Sequence, residues 1–339
     1  MGDLIAALTA LALSVVWGAA LAGGAAPPLP APLILVLTGL PWVALGLTAW
    51  CFLLWTLLPD HRAAPWLLAA SIVAPVLQWG WAWPDHGVDA RDDDLRVLTW
   101  NVRRLWGGPA GGDPTGCVAA AIEAASPDLV LLQEVTRRDL DKLQGTVALD
   151  CVHTTYRNAD DASDAGVAAC AAGGAWRLTR GESLRYLTQH DWQYILGSFE
   201  HGDRRIDALS VHLHPYRVLH DPATALERVV ERAPTVTASQ DAQIDALLAE
   251  VASLPGAAIV GGDFNSTRDT PFHARLRRTL VDAYEAGNQG FAGTVDLLDM
   301  LSLRVDYLYA SPDLAVVDAE ILPAGCSDHR PVLARLRAP

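Results

Sequence analysis

Pro127-Asp128-Leu129-Val130-Leu131-Leu132-Gln133-Glu134-Val135 is the stretch that decides the fold class. Its apolar run is short and nearly unbroken, as expected of a strand buried on both faces. It gives way at once to an amide and a carboxylate, Gln133 and Glu134. A second run behaves alike. Residues 257–262 read Ala-Ala-Ile-Val-Gly-Gly, a strand that opens into Asp263-Phe264-Asn265. A Gly-Gly-Asp-x-Asn run is by itself more often a turn than a site. Its place directly after an apolar strand raises its interest, and Gly261-Gly262 would let the backbone approach a ligand closely.

Outward from these two runs the pattern repeats. Residues 95–102 form a β-rich run containing Asn101, and residues 205–212 form a strand ending at His212. Residues 304–310 form a strand carrying Asp306, and the last strand, residues 331–336, follows directly on Asp328-His329. Helical patterns cover residues 117–125, 237–253 and 271–280, the second with Ile244, Leu247, Leu248 and Val251 on one face. Residues 150–181 are Gly/Ala-rich and show no readable period. Alternating strands and helices predict an α/β fold. Strand ends bearing Asn101, Glu134, His212, Asp263 with Asn265, Asp306, and Asp328 with His329 are expected to converge, because layered α/β folds build their sites there.

The N-terminal part is of another kind. From Leu4 to Trp83 the only charged residues are Asp60 and Arg62, whereas charges are dense from Asp85 onward. Residues 4–26, 33–58 and 66–83 each approach the roughly 20 apolar residues that a spanning helix needs. The pair Pro27-Pro28 and the single Pro30, Pro59 and Pro65 punctuate the gaps, and Trp79, Trp81 and Trp83 sit where an interfacial belt would lie. A cleaved signal peptide fits the first stretch less well, since Met1-Gly2-Asp3 carries no positive charge. The expected organisation is a membrane anchor over residues 1–84, an acidic linker over 85–94 and a folded polar domain over 95–339. Arg62 in the second gap puts that gap in the cytoplasm and the polar C-terminal domain outside the cell membrane.

The chain has 339 residues, 51% of them hydrophobic, and a net charge of −14. That excludes a disordered chain and a strongly basic nucleic-acid binder. Five cysteines exclude a disulfide-dense mini-scaffold. Cys51 falls in the second apolar stretch. In an oxidising compartment Cys151 would pair with Cys170 and Cys117 with Cys326; four free thiols in a cytoplasmic domain is the alternative.

Taken together, Thr99-Trp100-Asn101-Val102, Leu131-Leu132-Gln133-Glu134, Ser210-Val211-His212-Leu213, Gly262-Asp263-Phe264-Asn265-Ser266, Arg304-Val305-Asp306-Tyr307-Leu308 and Ser327-Asp328-His329-Arg330-Pro331-Val332 resemble the endonuclease/exonuclease/phosphatase superfamily, the deoxyribonuclease I-like group. Order and spacing match from residue 95 to the C-terminus. The resemblance implies a four-layer α/β/β/α sandwich, here preceded by three transmembrane helices, and metal-dependent cleavage of phosphate esters. It implies Glu134 as principal metal ligand, with Asn101 and Asp328 contributing, and Mg²⁺ as the metal, with Mn²⁺ or Ca²⁺ as alternatives. It implies Asp263 as the group that orients or deprotonates water, Asn265 and His212 as phosphate contacts, and His329 held by Asp306. His214, two residues beyond His212, competes with it. The family's upstream Tyr or Arg is not identifiable here; Arg185, Tyr186 and Tyr194 are candidates. The expected activity is a membrane-tethered phosphodiesterase or nuclease. The alternative is a phosphatase or phospholipase C-like enzyme on lipid head groups or inositol phosphates. The intact site residues argue against a catalytically dead scaffold, and the near absence of polar residues in the apolar stretches argues against a transporter.

Overall fold

The structure is a computed structural model that describes residues 89–105, 113–155, 164–186, 192–215, 225–268, 270–288, 293–297, 301–323 and 325–338, with Phe52, Leu53 and Thr56 ahead of them. Apart from those three, the expected spans 4–26, 33–58 and 66–83 lie outside the described residues. Among the described residues no helix is long and apolar enough to cross a membrane.

In chain order the elements are β1 (Leu95–Asn101), α1 (Pro114–Ala125), β2 (Leu129–Thr136), α2 (Arg137–Gln144), β3 (Leu149–Thr155), β4 (Ala165–Ala172) and β5 (Arg177–Arg185). There follow β6 (Gln193–His201), β7 (Arg204–His212), α3 (Ala225–Ser253), β8 (Ala258–Asp263), α4 (Pro271–Leu276), β9 (Val281–Asp282) and α5 (Ala283–Gly287). The last are β10 (Val295–Leu297), β11 (Leu301–Leu303), β12 (Asp306–Ala310), β13 (Ala315–Ile321) and β14 (Val332–Arg337). Two six-stranded mixed sheets result, ordered β13-β14-β1-β2-β4-β3 and β5-β6-β7-β8-β12-β9. β1 runs parallel to β2 and β7 parallel to β8, while β14 and β12 run against them.

The sheets pack face to face over Val97, Leu131, Val167, Phe199, Ala208 and Leu308. On the far side of the first sheet, Leu98, Trp100, Val130 and Leu132 pack with Val118 and Ile122 of α1 and Leu140 and Leu143 of α2. On the far side of the second, Tyr307 and Tyr309 meet Phe264 and His273 of α4. Arg275 of α4 pairs with Asp241 and Asp245 of α3, adding the fourth layer. The expected sandwich is therefore present.

Local boundaries differ from expectation for identifiable reasons. α1 begins at Pro114, not 117: proline suits a first helical turn, and Asp113 Oδ1 accepts from the Thr115 N–H at 3.1 Å. α2 lies outside the expected helices; its apolar face is two residues, Leu140 and Leu143, and Thr136 caps it by accepting from Asp139 N–H at 3.1 Å. α3 starts at Ala225 and runs through Pro234, ahead of the expected start at 237. α4 stops at Leu276, and residues 277–280 are turns.

The unread stretch 150–181 holds three strands. β4, Ala-Gly-Val-Ala-Ala-Cys-Ala-Ala, is buried along its whole length. Alanine and glycine carry little strand propensity; size decides instead. A Cβ on Gly166 would stand 1.7 Å from the Thr154 carbonyl oxygen. Cys151 and Cys170 face each other across β3 and β4 and form one disulfide, and Cys117 and Cys326 form the other.

Candidate active site

Strand alternation brings the candidate residues together. Thr99 and Asn101 on β1, Gln133 on β2, Ser210 and His212 on β7, Gly261 and Asp263 on β8, and Asp306 and Leu308 on β12 lie at matching registers. A polar bridge crosses between the sheets just behind the site. Gln133 Nε2 donates to Thr99 Oγ1 at 3.2 Å and to Ser210 Oγ at 3.2 Å, and Ser210 Oγ donates to the Leu132 carbonyl at 3.1 Å. These groups are fully buried, so each bond also removes an otherwise costly unpaired atom.

Gly261 and Gly262 lie inside β8 and form no turn. A Cβ on Gly261 would meet Leu131 Cδ1 at 2.7 Å and Leu308 Cδ2 at 2.9 Å, and one on Gly262 would meet the Val211 carbonyl oxygen at 1.9 Å. The close approach that glycine permits here is therefore to the facing sheet and the neighbouring strand, in place of the expected ligand.

Asp263 sits at the centre. Its Oδ2 accepts from Asn101 Nδ2 at 3.0 Å and lies 3.5 Å from His212 Nε2 and 3.8 Å from His329 Nε2. Its Oδ1 accepts from the Asn265 backbone N–H at 2.8 Å. Burial, and then the neighbouring charge of Asp306, push its pKa upward against the pull of His329 and His212. Such a carboxylate is a better proton acceptor than an exposed one.

His329 Nδ1 lies 2.9 Å from Asp306 Oδ2. Burial opposes charge on the ring, but Asp306, Asp263 and the hydrogen bond to Asp306 outweigh it, and the pKa is raised to about 10. The ring is thus an imidazolium at neutral pH, its Nδ1–H donating to Asp306. The loop that carries it is pinned to β1: Ser327 Oγ donates to the Asn101 carbonyl at 2.8 Å, and Trp100 Nε1 donates to the His329 carbonyl at 2.9 Å. Cys326, joined to α1 by its disulfide, immediately precedes that loop.

Glu134 interrupts the β2–β4 ladder at a bulge and holds a left-handed φ of 50°. A non-glycine residue there is strained, and such strain clusters at functional sites. Its carboxylate accepts from Asn101 Nδ2 at 3.3 Å and makes no ion pair among the described residues. Asp306 Oδ1 is buried without a hydrogen-bond partner among them. Asp263, Asp306 and His329 also offer atoms within 4.8 Å of one another. An uncompensated carboxylate beside further oxygen donors fits a hard divalent cation. Glu134 would hold it, with Asn101 beside it. The imidazolium already neutralises part of the Asp263–Asp306 charge.

Some expected residues are engaged otherwise. The Asn101 side-chain oxygen, expected to face a metal, accepts from the Arg103 backbone N–H at 3.0 Å. Asp328 is half exposed and pairs with Arg103 Nη1 at 3.0 Å. One amide hydrogen of Asn265 is taken by the Leu213 carbonyl at 3.0 Å, leaving one for a ligand. His214 lies past the end of β7, its backbone held by Gln243 and Gln240 of α3. Arg185 is exposed at the end of β5, and Tyr186 is buried against Tyr194. Residues not anticipated are Arg103, Ser327, the Thr99–Gln133–Ser210 bridge, and Trp192, whose ring meets His212 edge-on at 5.4 Å.

Comparison with known proteins gives the same picture. The sequence model of the Endonuclease/Exonuclease/phosphatase family matches residues 98–329. No curated protein sequence matches the chain. Among solved structures, the endonuclease/exonuclease/phosphatase from Bacteroides vulgatus is 17% identical with a TM-score of 0.58, covering 73% of this chain and 99% of its own. D. rerio TDP2, complexed with single strand DNA product, is 15% identical with a TM-score of 0.57, covering 73% and 100%. The human Nocturnin catalytic domain with bound sulfate is 18% identical with a TM-score of 0.54, covering 74% and 96%. These identities speak for the fold; the family match spans well over half of the sequence, and the chain belongs to the endonuclease/exonuclease/phosphatase family.

Proposed function

We propose that the protein is a divalent-metal-dependent phosphodiesterase, with nucleic acid as its first candidate substrate, tethered to the cell membrane by residues 1–84 and working outside. The observation that carries the hydrolase reading is one constellation. A charged His329 and a buried Asp263 with raised pKa face each other at the strand ends, beside a Glu134 carboxylate that makes no ion pair among the described residues.

In this reading Asp263 orients an attacking water and takes its proton. Asn101 and His212 keep Asp263 Oδ2 in place. His329, fixed through Nδ1 by Asp306, donates from Nε2 to a phosphoryl oxygen, and Asn265 offers its remaining N–H. The water oxygen forms a bond to phosphorus as the ester P–O bond breaks, and the departing oxygen is protonated from water. When bound, Mg²⁺ (or Mn²⁺ or Ca²⁺) supplies charge neutralisation at the phosphoryl and leaving oxygens.

The two disulfides support an oxidising compartment, and the uncharged stretches before residue 84 support the tether. Those stretches also favour a competing reading, hydrolysis of lipid head groups, because a tether raises the local concentration of such substrates. The test is plasmid nicking by the full chain in detergent, wild type and His329→Ala, with Mg²⁺ and with chelator. Metal-dependent nicking that the variant loses is expected. Equal nicking by both proteins would remove His329 from the site.

A further inference from the structure

The polypeptide enters the domain at the pole opposite the active site. Asp94, buried ahead of β1, accepts from Arg337 Nε at 2.7 Å and Nη2 at 2.9 Å. Arg337 also donates to the Asp89 carbonyl at 2.6 Å. From the other sheet, Arg204 donates to the Asp93 carbonyl at 3.0 Å. Both sheets thus grip the incoming segment, through β14 and β7. The far ends of these strands adjoin the site: β7 ends in His212, and β14 starts three residues past His329. Between clamp and site lies β1, seven residues long, a separation of about 20 Å.

Only residues 84–88 separate Trp83, the end of the third apolar stretch, from the clamped Asp89. Fully extended, the six steps from Trp83 to Asp89 reach about 20 Å, no more than the clamp-to-site separation itself. Turning the mouth of the site toward the anchor would require this short tether to run back along the length of the strands. The catalytic groups are also recessed, His212 being 4% and Asp263 1% exposed, so a phosphate has to enter from the mouth.

We propose that the Arg337–Asp94 and Arg204–Asp93 clamp holds the active site away from the bilayer that carries it, so that the substrate is a phosphodiester arriving from the water, and lipids of the same membrane are out of reach. This rests on the anchored-hydrolase reading above and narrows it.

The test uses the full chain in vesicles of phosphatidylcholine and phosphatidylglycerol containing a quencher lipid. A dye is placed at Asp203, on the clamp side, or at Arg138, just past β2 on the site side; both positions are exposed. Hydrolysis of bis(p-nitrophenyl) phosphate is measured beside release of head group from phosphatidylglycerol. Several-fold stronger quenching at Asp203, with turnover of the soluble ester and no head-group release, is expected. Equal quenching at the two positions, or head-group release as fast as soluble turnover, overturns the proposal. Unequal quenching with no hydrolysis of either ester upholds the orientation and strikes the hydrolase reading instead. Arg337→Ala combined with Arg204→Ala, still active on the soluble ester, is expected to even out the quenching. Retention of the wild-type difference would take the orientation away from the clamp.

Discussion

His329 keeps its proton because two carboxylates outweigh its burial, and this fixes the direction of its pH dependence. A folded pKa raised from 6.5 to about 10 contributes stability in full below 6.5, and that contribution is lost as the pH rises through about 10. Activity that needs the imidazolium should fall over the same alkaline limb. Asp306→Asn should move that limb down toward the ordinary imidazole range and lower the rate at pH 8 on the order of 10²-fold. A pH–rate profile with an unmoved limb would sink this assignment. Glu134→Gln should raise the metal concentration needed for half-maximal activity on the order of tenfold or more, read by metal titration after chelation. The convergence of Asn101, Glu134, His212, Asp263, Asp306 and His329 was legible because each interrupts or adjoins an apolar strand. Arg103 and Ser327 were not. Ser327 matters through a bond to Asn101, 226 residues away, and no local pattern announces such a bond.

At the scale of elements, β8 shows why two glycines precede Asp263. The obstacle beside Gly261 is side chains that can give way, whereas that beside Gly262 is the backbone carbonyl of Val211. Gly262→Ala should therefore destabilise the protein more than Gly261→Ala, whose cost is about 1–3 kcal/mol. Urea unfolding of both variants checks the order. α4 is fastened to β12 through one ring: His273 lies 2.7 Å from the Tyr309 hydroxyl and 3.0 Å from Ser266 Oγ. Burial drives its pKa well below 6.5, so its contribution to stability is present above 6.5 and lost as the pH falls below that value. His273→Phe should flatten that acid-side decline, measured by thermal unfolding from pH 7 downward; an unchanged slope would show that other groups cause it. Strands with large apolar runs were readable from the sequence. β4 was not, because its place is set by how little room lies between its neighbours, and small residues report that without any period.

The whole molecule is cross-linked at two length scales. Cys117–Cys326 closes a loop of 209 residues and Cys151–Cys170 one of 19. On loop-closure entropy alone these contribute about 5 and about 3 kcal/mol. Cys117→Ser with Cys326→Ser should thus lower the Tm more than Cys151→Ser with Cys170→Ser. The reverse order would mean that β3–β4 pairing depends on its own bridge. The sandwich and its family were readable from motif order, and the two disulfides are the expected pairs; what the sequence left open was whether the four thiols are oxidised at all. The outermost strand of the second sheet, β5, bears on behaviour at high concentration. Its side chains are largely solvent-facing, with Arg177, Arg180, Glu182 and Arg185 along it, and its ladder is offset between Leu178 and Arg180. Another chain adding to that edge would have to accommodate those charges and an irregular hydrogen-bond spacing. The protein thereby carries its own guard against edge-to-edge aggregation, and neutral β-branched residues at Arg180 and Glu182 would remove it.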